Sequence, residues 1–365
     1  MRALRLYAGP RALEHLRERG LGPGDVGVIP AAAGGPKGLI LGPIDRLLFG
    51  QWLPQSRQAI HLIGASIGAW RMGTACLPDA VSSLERLEHD YIRQQVAPPQ
   101  GQRRATAQQI SDQFAFNLRA FYEGRTEALL QHPRWRLHIV AARGRRLLAA
   151  DGRWRTPLGY LGAFAANAVR RPALGDWLER VVFSGPDVQA GTTSELPFAT
   201  HDLRTRQVAM GPHNFMQALQ ASCSIPFVLR PVQDIPGAPR GAYWDGGITD
   251  YHLHLHYRHR SESPIVLYPH FQRAVVPGWL DKAWKRRHRS SPALDHMLVL
   301  APDPDWVRRC LPLGKLPDRG DFARFGQDLG ARVKAWGAAV LAAAQLADEL
   351  GEWLAQPDAL RVEPL

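Results

Sequence analysis

Two short apolar segments near the N-terminus predict buried β-strands, and each is followed directly by a glycine-rich turn. The first strand is expected over Val26–Pro30 and the second over Ile60–Ile63. A helix is expected after each turn, from Leu39 to Phe49 and from Ala69 onward. Strands that alternate with helices in this way are typical of an α/β fold, in which helices pack against a central sheet.

The C-terminal part of the chain carries apolar residues at helical spacing. They recur from Arg324 to Trp353 and predict a helix packed on the rest of the molecule. We therefore expect one domain over residues 1–300 and a helical extension over residues 301–365. We expect neither a signal peptide nor a membrane-spanning helix, because the N-terminus is charged and the apolar segment Ala338–Leu346 is too short.

The turn after the second strand contains a serine between small residues. Ser66 lies in the pattern Gly-x-Ser-x-Gly, with Gly64 and Gly68 on either side. A sharp turn from strand to helix lifts a serine hydroxyl out of the sheet, and glycines let the neighbouring backbone pass close to it. The pattern therefore predicts a nucleophilic serine. A glycine-rich turn without a catalytic role is the alternative interpretation.

The turn after the first strand is a candidate site for stabilising negative charge. Gly34 and Gly35 are followed by Pro36, Lys37 and Gly38. A backbone N–H that points at a developing oxyanion stabilises it by roughly 3 kcal/mol, and Pro36 has no N–H to offer. Gly34 and Gly35 are thus the expected donors, with Lys37 as a nearby positive charge. A phosphate-binding loop fits less well, because Gly38 stands where that motif requires serine or threonine.

A third segment, far downstream, supplies a carboxylate. Asp245 follows two aromatic residues and precedes Gly246 and Gly247. Because glycines carry no Cβ, the carboxylate can approach a hydroxyl group on another loop closely enough to accept its proton. Asp245 is therefore a candidate general base, and an ordinary Asp-Gly-Gly turn is the alternative interpretation.

Together these segments resemble the patatin-like phospholipases and lipid acyl hydrolases. That family has a Gly-Gly-Gly-x-Arg/Lys-Gly loop, then Gly-x-Ser-x-Gly, and far downstream Asp-Gly-Gly or Asp-Gly-Ala. A fourth segment, Ala221–Phe227, is similar to the family's Ala-Ser-x-Ala-x-Pro stretch, with Ser224 at the second alanine. Ala32 and Ala33 stand where the family usually has Asp-Gly, which predicts a reshaped loop or a different substrate.

The resemblance implies a patatin-like three-layer α/β/α domain with a mostly parallel central sheet, over residues 1–300, and a C-terminal helical extension. It also implies a serine acyl hydrolase that cleaves ester bonds of phospholipids or related acyl lipids through an acyl-enzyme. Ser66 is the implied nucleophile and Asp245 the implied base of a Ser-Asp dyad. The implied oxyanion site comprises Gly34, Gly35, Lys37 and Ile67. No cofactor and no metal are expected.

Two alternatives remain open. In an esterase or thioesterase with a Ser-Asp-His triad, a histidine would follow Ser66 and Asp245 along the chain. The histidines that satisfy this order are His252, His254, His256 and His270. The first three would share one face of a strand, but acyl transfer by a serine needs no metal, so we do not assign them to a metal site. The second alternative is a catalytically silent, lipid-binding protein of the membrane surface.

The chain has 365 residues and a formal net charge of +12, which favours an anionic partner. One basic segment contains tryptophans, a combination suited to anionic lipid headgroups, and a solvated charged helix is the alternative. Its members are Trp279, Lys282, Trp284, Lys285, Arg286, Arg287 and Arg289. We see no nucleic-acid-binding motif.

Three isolated cysteines indicate a reducing compartment. We therefore expect a cytoplasmic protein that can lie peripherally at the inner membrane face.

Overall fold

The computed structural model of the protein describes residues 1–102, 104–258 and 262–365, and its strands form one large mixed sheet and one small ladder. The strands are β1 (Leu4–Ala8), β2 (Val26–Ala31), β3 (Ile60–Ala65), β4 (Trp135–Gly144), β5 (Leu178–Ser184), β6 (Pro186–Asp187), β7 (Thr192–Thr193), β8 (Thr205–Ala209), β9 (Val232–Gln233), β10 (Ala242–Asp245), β11 (Ile265–Pro269), β12 (Met297–Pro302) and β13 (Val362–Pro364). The large sheet has the order β13-β1-β12-β11-β2-β3-β4-β10-β9, with β5 beside β4 and β8 beside β5. Its centre, from β12 to β4, is parallel.

Helices flank this sheet. They are α1 (Pro10–Arg19), α2 (Gly42–Leu47), α3 (Ile67–Ala75), α4 (Ala80–Arg93), α5 (Ala107–Tyr122), α6 (Thr126–Leu130), α7 (Arg155–Val169), α8 (Phe215–Ser222), α9 (Pro304–Cys310), α10 (Gly320–Phe325), α11 (Leu329–Ala342) and α12 (Ala344–Ala355). Helix α3 packs on β2, β3 and β4, and α8 packs on β4 and β10. The expected α/β architecture, with a mostly parallel sheet and a helical C-terminal part, is confirmed. Over the described ranges, no helix is both long and apolar enough to cross a membrane.

Strand β4 lies deep in this sheet, and its two buried polar side chains His138 and Arg136 form hydrogen bonds there. Nearly all of its residues are buried. His138 shares a hydrogen bond of 2.9 Å with the Ser184 hydroxyl, and Arg136 donates twice to Asp187. Because a buried polar group without a partner costs free energy, these contacts allow β4 to serve as a fixed support for its neighbours.

Two helix boundaries differ from the sequence prediction. The helix expected from Leu39 to Phe49 is a 3₁₀ helix over Gly35–Leu41 that continues into α2. Pro43 lies in the first turn of α2, where its missing N–H would have no intrahelical partner in any case. The single helix expected from Arg324 to Trp353 is divided: Gly326 ends α10 with a φ of 56°, α11 begins at Leu329, and α12 begins at Ala344.

The C-terminal helical segment is tied to the sheet by its last residues. After α12, β13 pairs in parallel with β1, Val362 lying opposite Leu6. Glu349 of α12 accepts hydrogen bonds from the backbone N–H groups of Ala3 and Leu4 at 2.9–3.0 Å. The two ends of the chain therefore stabilise each other at one edge of the sheet.

A buried ion network lies beneath the turn that follows β10. The Arg180 guanidinium on β5 makes two hydrogen bonds to the Asp250 carboxylate, at 2.6 and 2.8 Å, and two more to Asp202. Arg180 and Asp250 are fully buried. The Asp250 N–H donates to the carbonyl oxygen of Gly246, so the network also fixes the glycine turn that follows Asp245.

We expect Arg180→Met to lower the free energy of unfolding by about 3–5 kcal/mol, because it removes both charged hydrogen bonds to the buried Asp250 carboxylate and leaves only Arg171, 3.7 Å away. The measurement is urea unfolding monitored by circular dichroism. Arg204→Met is the matched control, since Arg204 is exposed and its partner Glu179 keeps ion pairs with Arg143 and Arg206, and its cost should stay within about 1 kcal/mol. Similar losses in the two variants would contradict the expectation.

Candidate active site

Ser66 lies at the sharp turn between β3 and α3. Its φ of 56° and ψ of −127° are rarely adopted by residues with a side chain. A Cβ on Gly64 would come within 2.4 Å of the backbone nitrogen of Ala69, and a Cβ on Gly68 within 1.9 Å of the carbonyl oxygen of Ala31. Both glycines are therefore required by close backbone contacts, and the surrounding packing holds Ser66 in its strained conformation.

Asp245 reaches Ser66 because two strands meet end to end along one edge of β4. Strand β3 runs parallel to β4 and ends with Ala65 opposite Val140. Strand β10 runs antiparallel to β4 and ends with Asp245 opposite Ala141, the next residue along. The two strands point toward each other, so the serine that follows one and the aspartate that ends the other come together.

The Asp245 carboxylate is buried beside the Ser66 hydroxyl. Burial raises the pKa of Asp245 to about 6, although hydrogen bonds from the Ser66 side chain and the Gly247 N–H lower it. The Gly247 bond is 2.7 Å long. A carboxylate of ordinary pKa, about 3.9, is a weak base toward a hydroxyl group. Desolvation therefore supplies the basicity that the sequence leaves unexplained.

The Ala221–Phe227 segment holds both residues in place. The Ser66 N–H donates to the Ser222 hydroxyl oxygen at 2.9 Å, and that hydroxyl donates to the carbonyl oxygen of Val140 at 2.6 Å. The Asp245 N–H donates to the carbonyl oxygen of Ser224 at 3.0 Å. Ser222 thus ties the strained turn to β4.

The glycine loop after β2 forms a second wall of the site. Gly34 and Gly35 lie at the start of the 3₁₀ helix, where N–H groups have no partner within the helix. The Ala33 N–H is already used, since it donates to the Tyr251 carbonyl oxygen at 2.9 Å. Gly35 has a φ of 56°, and a Cβ on Gly34 would lie 2.7 Å from the Phe271 ring. The loop therefore needs glycine at both positions.

The two glycines after Asp245 bring their turn close to β4 and to the glycine loop. A Cβ on Gly246 would come within 2.0 Å of the carbonyl oxygen of Val140, and a Cβ on Gly247 within 2.6 Å of the Ala33 methyl carbon. Ala33, where the chain departs from the family pattern, thus packs directly against Gly247. Ile67 begins α3, and its side chain lies against Gly38, whose Cβ would come within 3.2 Å of it.

A pocket opens beside the serine. Its walls combine four of the predicted site residues and Gly247 with apolar, aromatic and cationic side chains. The lining residues are Ala33, Gly34, Gly35, Ser66, Ile225, Pro226, Asp245, Gly247, Ile248, Tyr251, Trp279, Lys282 and Arg319. A larger and more open groove between α2 and α12 holds none of the predicted site residues.

Lys37 lies outside the lining of this pocket. Its ammonium group is 5.1 Å from the centre of the Phe271 ring. Burial lowers the pKa of Lys37, and the negative charge of Asp318 acts in the opposite direction. The structure thus brings Gly34, Gly35, Ser66 and Asp245 together but directs the Lys37 side chain elsewhere.

Lys282 and Arg319 provide the positive charge at the pocket. The Lys282 ammonium lies 4.0 Å from the centre of the Tyr251 ring. Lys282 is exposed at the rim, yet partial desolvation lowers its pKa to about 8, and the positive charges of Lys37 and Arg319 act in the same direction. Sequence reasoning assigned Lys282 only to the basic segment and missed Arg319, because a single arginine between Asp318 and Gly320 carries no motif.

The four candidate histidines of a triad do not line the pocket. The rings of His252 and His270 lie together in the interior, 4.4 Å apart, and burial lowers the pKa of His270 to about 3. His254 shares a hydrogen bond of 3.0 Å with Ser291, and the His256 ring lies against another histidine ring.

The strand considered for residues 251–256 does not form. Tyr251 and His252 donate instead to the carbonyl oxygens of Pro277 and Val276, and Leu253 has a φ of 50°. The three alternating histidines therefore share no common face. In the described parts of the chain, no group of three or more histidine, cysteine or acidic side chains could hold a metal ion.

The basic segment from Trp279 to Arg289 is divided between the pocket, the interior and solvent. Trp279 and Lys282 line the pocket. Arg287 turns inward, where it donates to the buried Asp281 carboxylate at 2.7 Å and to the carbonyl oxygen of Asn167 at 2.8 Å. Trp284 is half-buried, whereas Lys285, Arg286 and Arg289 are exposed. The segment is therefore not a uniform solvated helix.

No protein-family model matches the sequence, and no curated protein matches it. Among solved structures, it is similar to the human GIVD cytosolic phospholipase A2, with 13% identity and a TM-score of 0.38 over 96% of this chain and 62% of that one. It is also similar to VipD from Legionella pneumophila, with 14% identity and a TM-score of 0.36 over 95% of this chain and 70% of that one. This chain thus spans less than two thirds of the length of the human protein.

The raised pKa of Asp245 predicts a pH-dependent gain in stability for Asp245→Asn. Between about pH 4 and pH 6 the native state binds more protons than the unfolded state, so the wild-type protein loses stability as pH rises through this range. Asparagine stays neutral. Above pH 6 the variant should therefore be more stable by on the order of 2–3 kcal/mol, and below pH 4 the gain should disappear.

Calorimetric unfolding at pH 7.5 and pH 4 measures this difference. Asp348→Asn is the control, because Asp348 is exposed on α12, and its effect should be small at both values. A gain for Asp245→Asn that is equal at the two pH values would contradict the assigned environment of the carboxylate.

Proposed function

We propose that the protein is a serine acyl hydrolase that cleaves ester bonds of phospholipids or related acyl lipids with a Ser66–Asp245 dyad. One observation carries the proposal: a serine held in a strained turn donates a hydrogen bond to a buried carboxylate whose pKa is about 6. Strain and desolvation both cost stability, and such costs concentrate at functional sites.

In the first half of the reaction Asp245 accepts the Ser66 hydroxyl proton as the Oγ atom bonds to the ester carbonyl carbon. The former carbonyl oxygen becomes an oxyanion, which the N–H groups of Gly34 and Gly35 stabilise, and Ile67 N–H at the start of α3 is a further donor. Protonated Asp245 then gives its proton to the leaving alcohol as the ester C–O bond breaks. An acyl-enzyme on Ser66 remains.

In the second half a water molecule takes the position of the alcohol. Asp245 accepts a proton from this water as its oxygen bonds to the acyl carbon. The bond to Ser66 Oγ then breaks, the proton returns to the serine, and the carboxylic acid leaves. One carboxylate thus serves both proton transfers, so the reaction needs no histidine.

The cations of the pocket favour phospholipids among the acyl esters. Lys282 and Arg319 stand at the rim, while Ile225, Ile248 and Trp279 supply apolar walls. A phosphate group next to the scissile ester would pair with the cations, and an acyl chain would lie on the apolar side.

We also propose that the exposed cations of the basic segment, Lys285, Arg286 and Arg289, contact an anionic membrane surface, at the cytoplasmic side of the membrane. Each lysine or arginine near such a surface contributes about 1 kcal/mol of attraction. Arg287 has no part in this contact, because its guanidinium is bound to Asp281.

Two other functions would require different residues at the site. A Ser-Asp-His esterase or thioesterase requires a histidine at the pocket, and the position of the four candidate histidines favours the dyad. A catalytically silent lipid-binding protein would not need the serine beside a desolvated base, and the intact pair favours the enzyme.

We expect Ser66→Ala to lower the turnover of an acyl ester by on the order of 10⁴-fold and to abolish labelling by a fluorophosphonate probe. Ser224→Ala is the matched control, since Ser224 stands where related sequences are expected to have alanine, and it should keep activity and labelling. The measurements are steady-state hydrolysis of a short-chain ester and intact-protein mass spectrometry. Labelling of Ser66→Ala at the wild-type rate would refute the nucleophile.

Asp245→Asn should be nearly as damaging as Ser66→Ala, whereas His254→Ala, His256→Ala, His252→Gln and His270→Gln should each keep most of the activity. In the wild type, kcat/KM should fall about tenfold per pH unit below about pH 6, as Asp245 becomes protonated. The test is a pH–rate profile for every folded variant. A folded histidine variant as inactive as Ser66→Ala would establish the triad instead.

A further inference from the structure

Helix α7 buries one tyrosine together with small and polar residues, and it leaves most of its large apolar residues outside. Its buried face carries Thr156, Gly159, Tyr160, Ala163 and Asn167. The opposite face carries exposed apolar residues. Trp154 just before the helix (70% exposed), Leu158 (53%), Leu161 (64%) and Phe164 (40%) follow one another at spacings of four, three and three, and Val169 (84%) lies at the end of the helix. A surface helix of a globular protein normally has the reverse arrangement.

The buried contacts of α7 fix this orientation. The Thr156 hydroxyl donates to Asp151 at 2.6 Å, and the Asn167 side chain donates to the Asp281 carboxylate at 2.8 Å. A Cβ on Gly159 would come within 2.6 Å of the Leu148 side chain, so the inner face has no room for a larger residue at this position. The helix therefore cannot turn its leucines inward, and their exposure is a built feature of the fold.

The charges around this face are positive. Arg153 and Arg155 are exposed at the start of α7 and Arg170 at its end. The only acid between residues 145 and 171 is Asp151, which is bound to Arg230. An apolar helix face bordered by arginines is suited to an interface between acyl chains and anionic headgroups. A second copy of this chain would bring its arginines against the first, which opposes self-association through the same face.

Helix α7 also touches two walls of the pocket. Tyr160 makes an edge contact with Phe227, at 5.7 Å between ring centres, and Phe227 is exposed directly after the lining residues Ile225 and Pro226. Toward the C-terminal end of the helix, the Asn167 side chain donates to Asp281, which lies along the chain between the lining residues Trp279 and Lys282. The helix that carries the apolar face therefore packs directly against segments that line the pocket.

We infer that the outer face of α7, from Trp154 to Val169, inserts into the headgroup region of an anionic lipid bilayer. Together with Phe227, it holds the pocket opening at the membrane surface. The evidence for the bilayer contact comes from the helix alone. The further inference that this contact brings acyl lipid to Ser66 rests on the proposed function.

The first test is sedimentation of the full chain with vesicles of phosphatidylcholine alone and with phosphatidylglycerol added. The wild type should bind the anionic vesicles more tightly, and less tightly as salt rises. Leu158→Glu/Leu161→Glu should weaken binding about 100-fold, because each leucine lost from an apolar environment corresponds to roughly tenfold or more. Leu341→Glu, on the exposed side of α11, is the matched control (78% exposed) and should bind as the wild type does.

A third variant separates charge from apolar insertion. Lys285→Gln/Arg286→Gln/Arg289→Gln should lose part of the preference for anionic vesicles but keep the binding that depends on the leucines. Hydrolysis of a short-chain soluble ester is measured on the same samples. If this activity is absent from every sample while vesicle binding follows the pattern above, the proposed reaction fails and the docking surface stands.

The second test reports on the helix directly. A polarity-sensitive fluorophore is attached to Leu161→Cys in a Cys310→Ser background, since Cys310 is exposed and Cys76 and Cys223 are buried. Anionic vesicles should shift its emission to the blue, and a label at Leu341→Cys should not respond.

Three outcomes would overturn the inference. They are equal vesicle binding by the wild type and the double leucine variant, an unchanged emission at position 161, and no binding of the wild type at all. Concentration-dependent self-association that Leu158→Glu/Leu161→Glu abolishes would also overturn it, and would assign the face to a second copy of the chain.

Discussion

Strand β4 carries two strands on one edge that run toward each other, and the rest of the site depends on this pairing. Val140 marks the meeting point: it lies opposite Ala65 at the end of β3, and its carbonyl oxygen accepts a hydrogen bond from the Ser222 hydroxyl and lies against Gly246. A side chain at position 246 would collide with this oxygen. The position of the serine relative to the carboxylate is therefore set by sheet register, which is far stiffer than a contact between loops.

The same arrangement explains why the carboxylate is basic. Asp245 ends a buried strand, so its charge is desolvated, and the Ser66 side chain and the Gly247 N–H bond to it directly. Neighbouring acids are treated differently, since Asp250 is paired with Arg180 and Asp281 with Arg171 and Arg287. Fully paired carboxylates stabilise the scaffold, while the one left without a bonded cation retains its affinity for a proton.

The arginines of this chain serve two opposite purposes. Some turn inward and neutralise buried acids, as Arg180 and Arg287 do, and these stabilise the walls of the pocket. Others stay in solvent around the apolar face of α7 and at the pocket rim. Net charge alone does not distinguish the two groups, because the difference lies in whether an acid from a distant part of the chain folds against the guanidinium.

The sequence by itself determined the α/β layering, the turns at Ser66 and Asp245 and the glycine loop, because these depend on local patterns of apolar residues and on glycines that backbone contacts demand. Only the tertiary structure decided which charges face the pocket. Arg319, from the C-terminal segment, lines the pocket, whereas the Lys37 ammonium lies over the Phe271 ring. It also decided that α7 exposes its leucines, since the hydrogen bonds of Thr156 to Asp151 and of Asn167 to Asp281 fix the inner face. Contacts of this kind join residues that are distant in sequence, so local sequence patterns do not predict them.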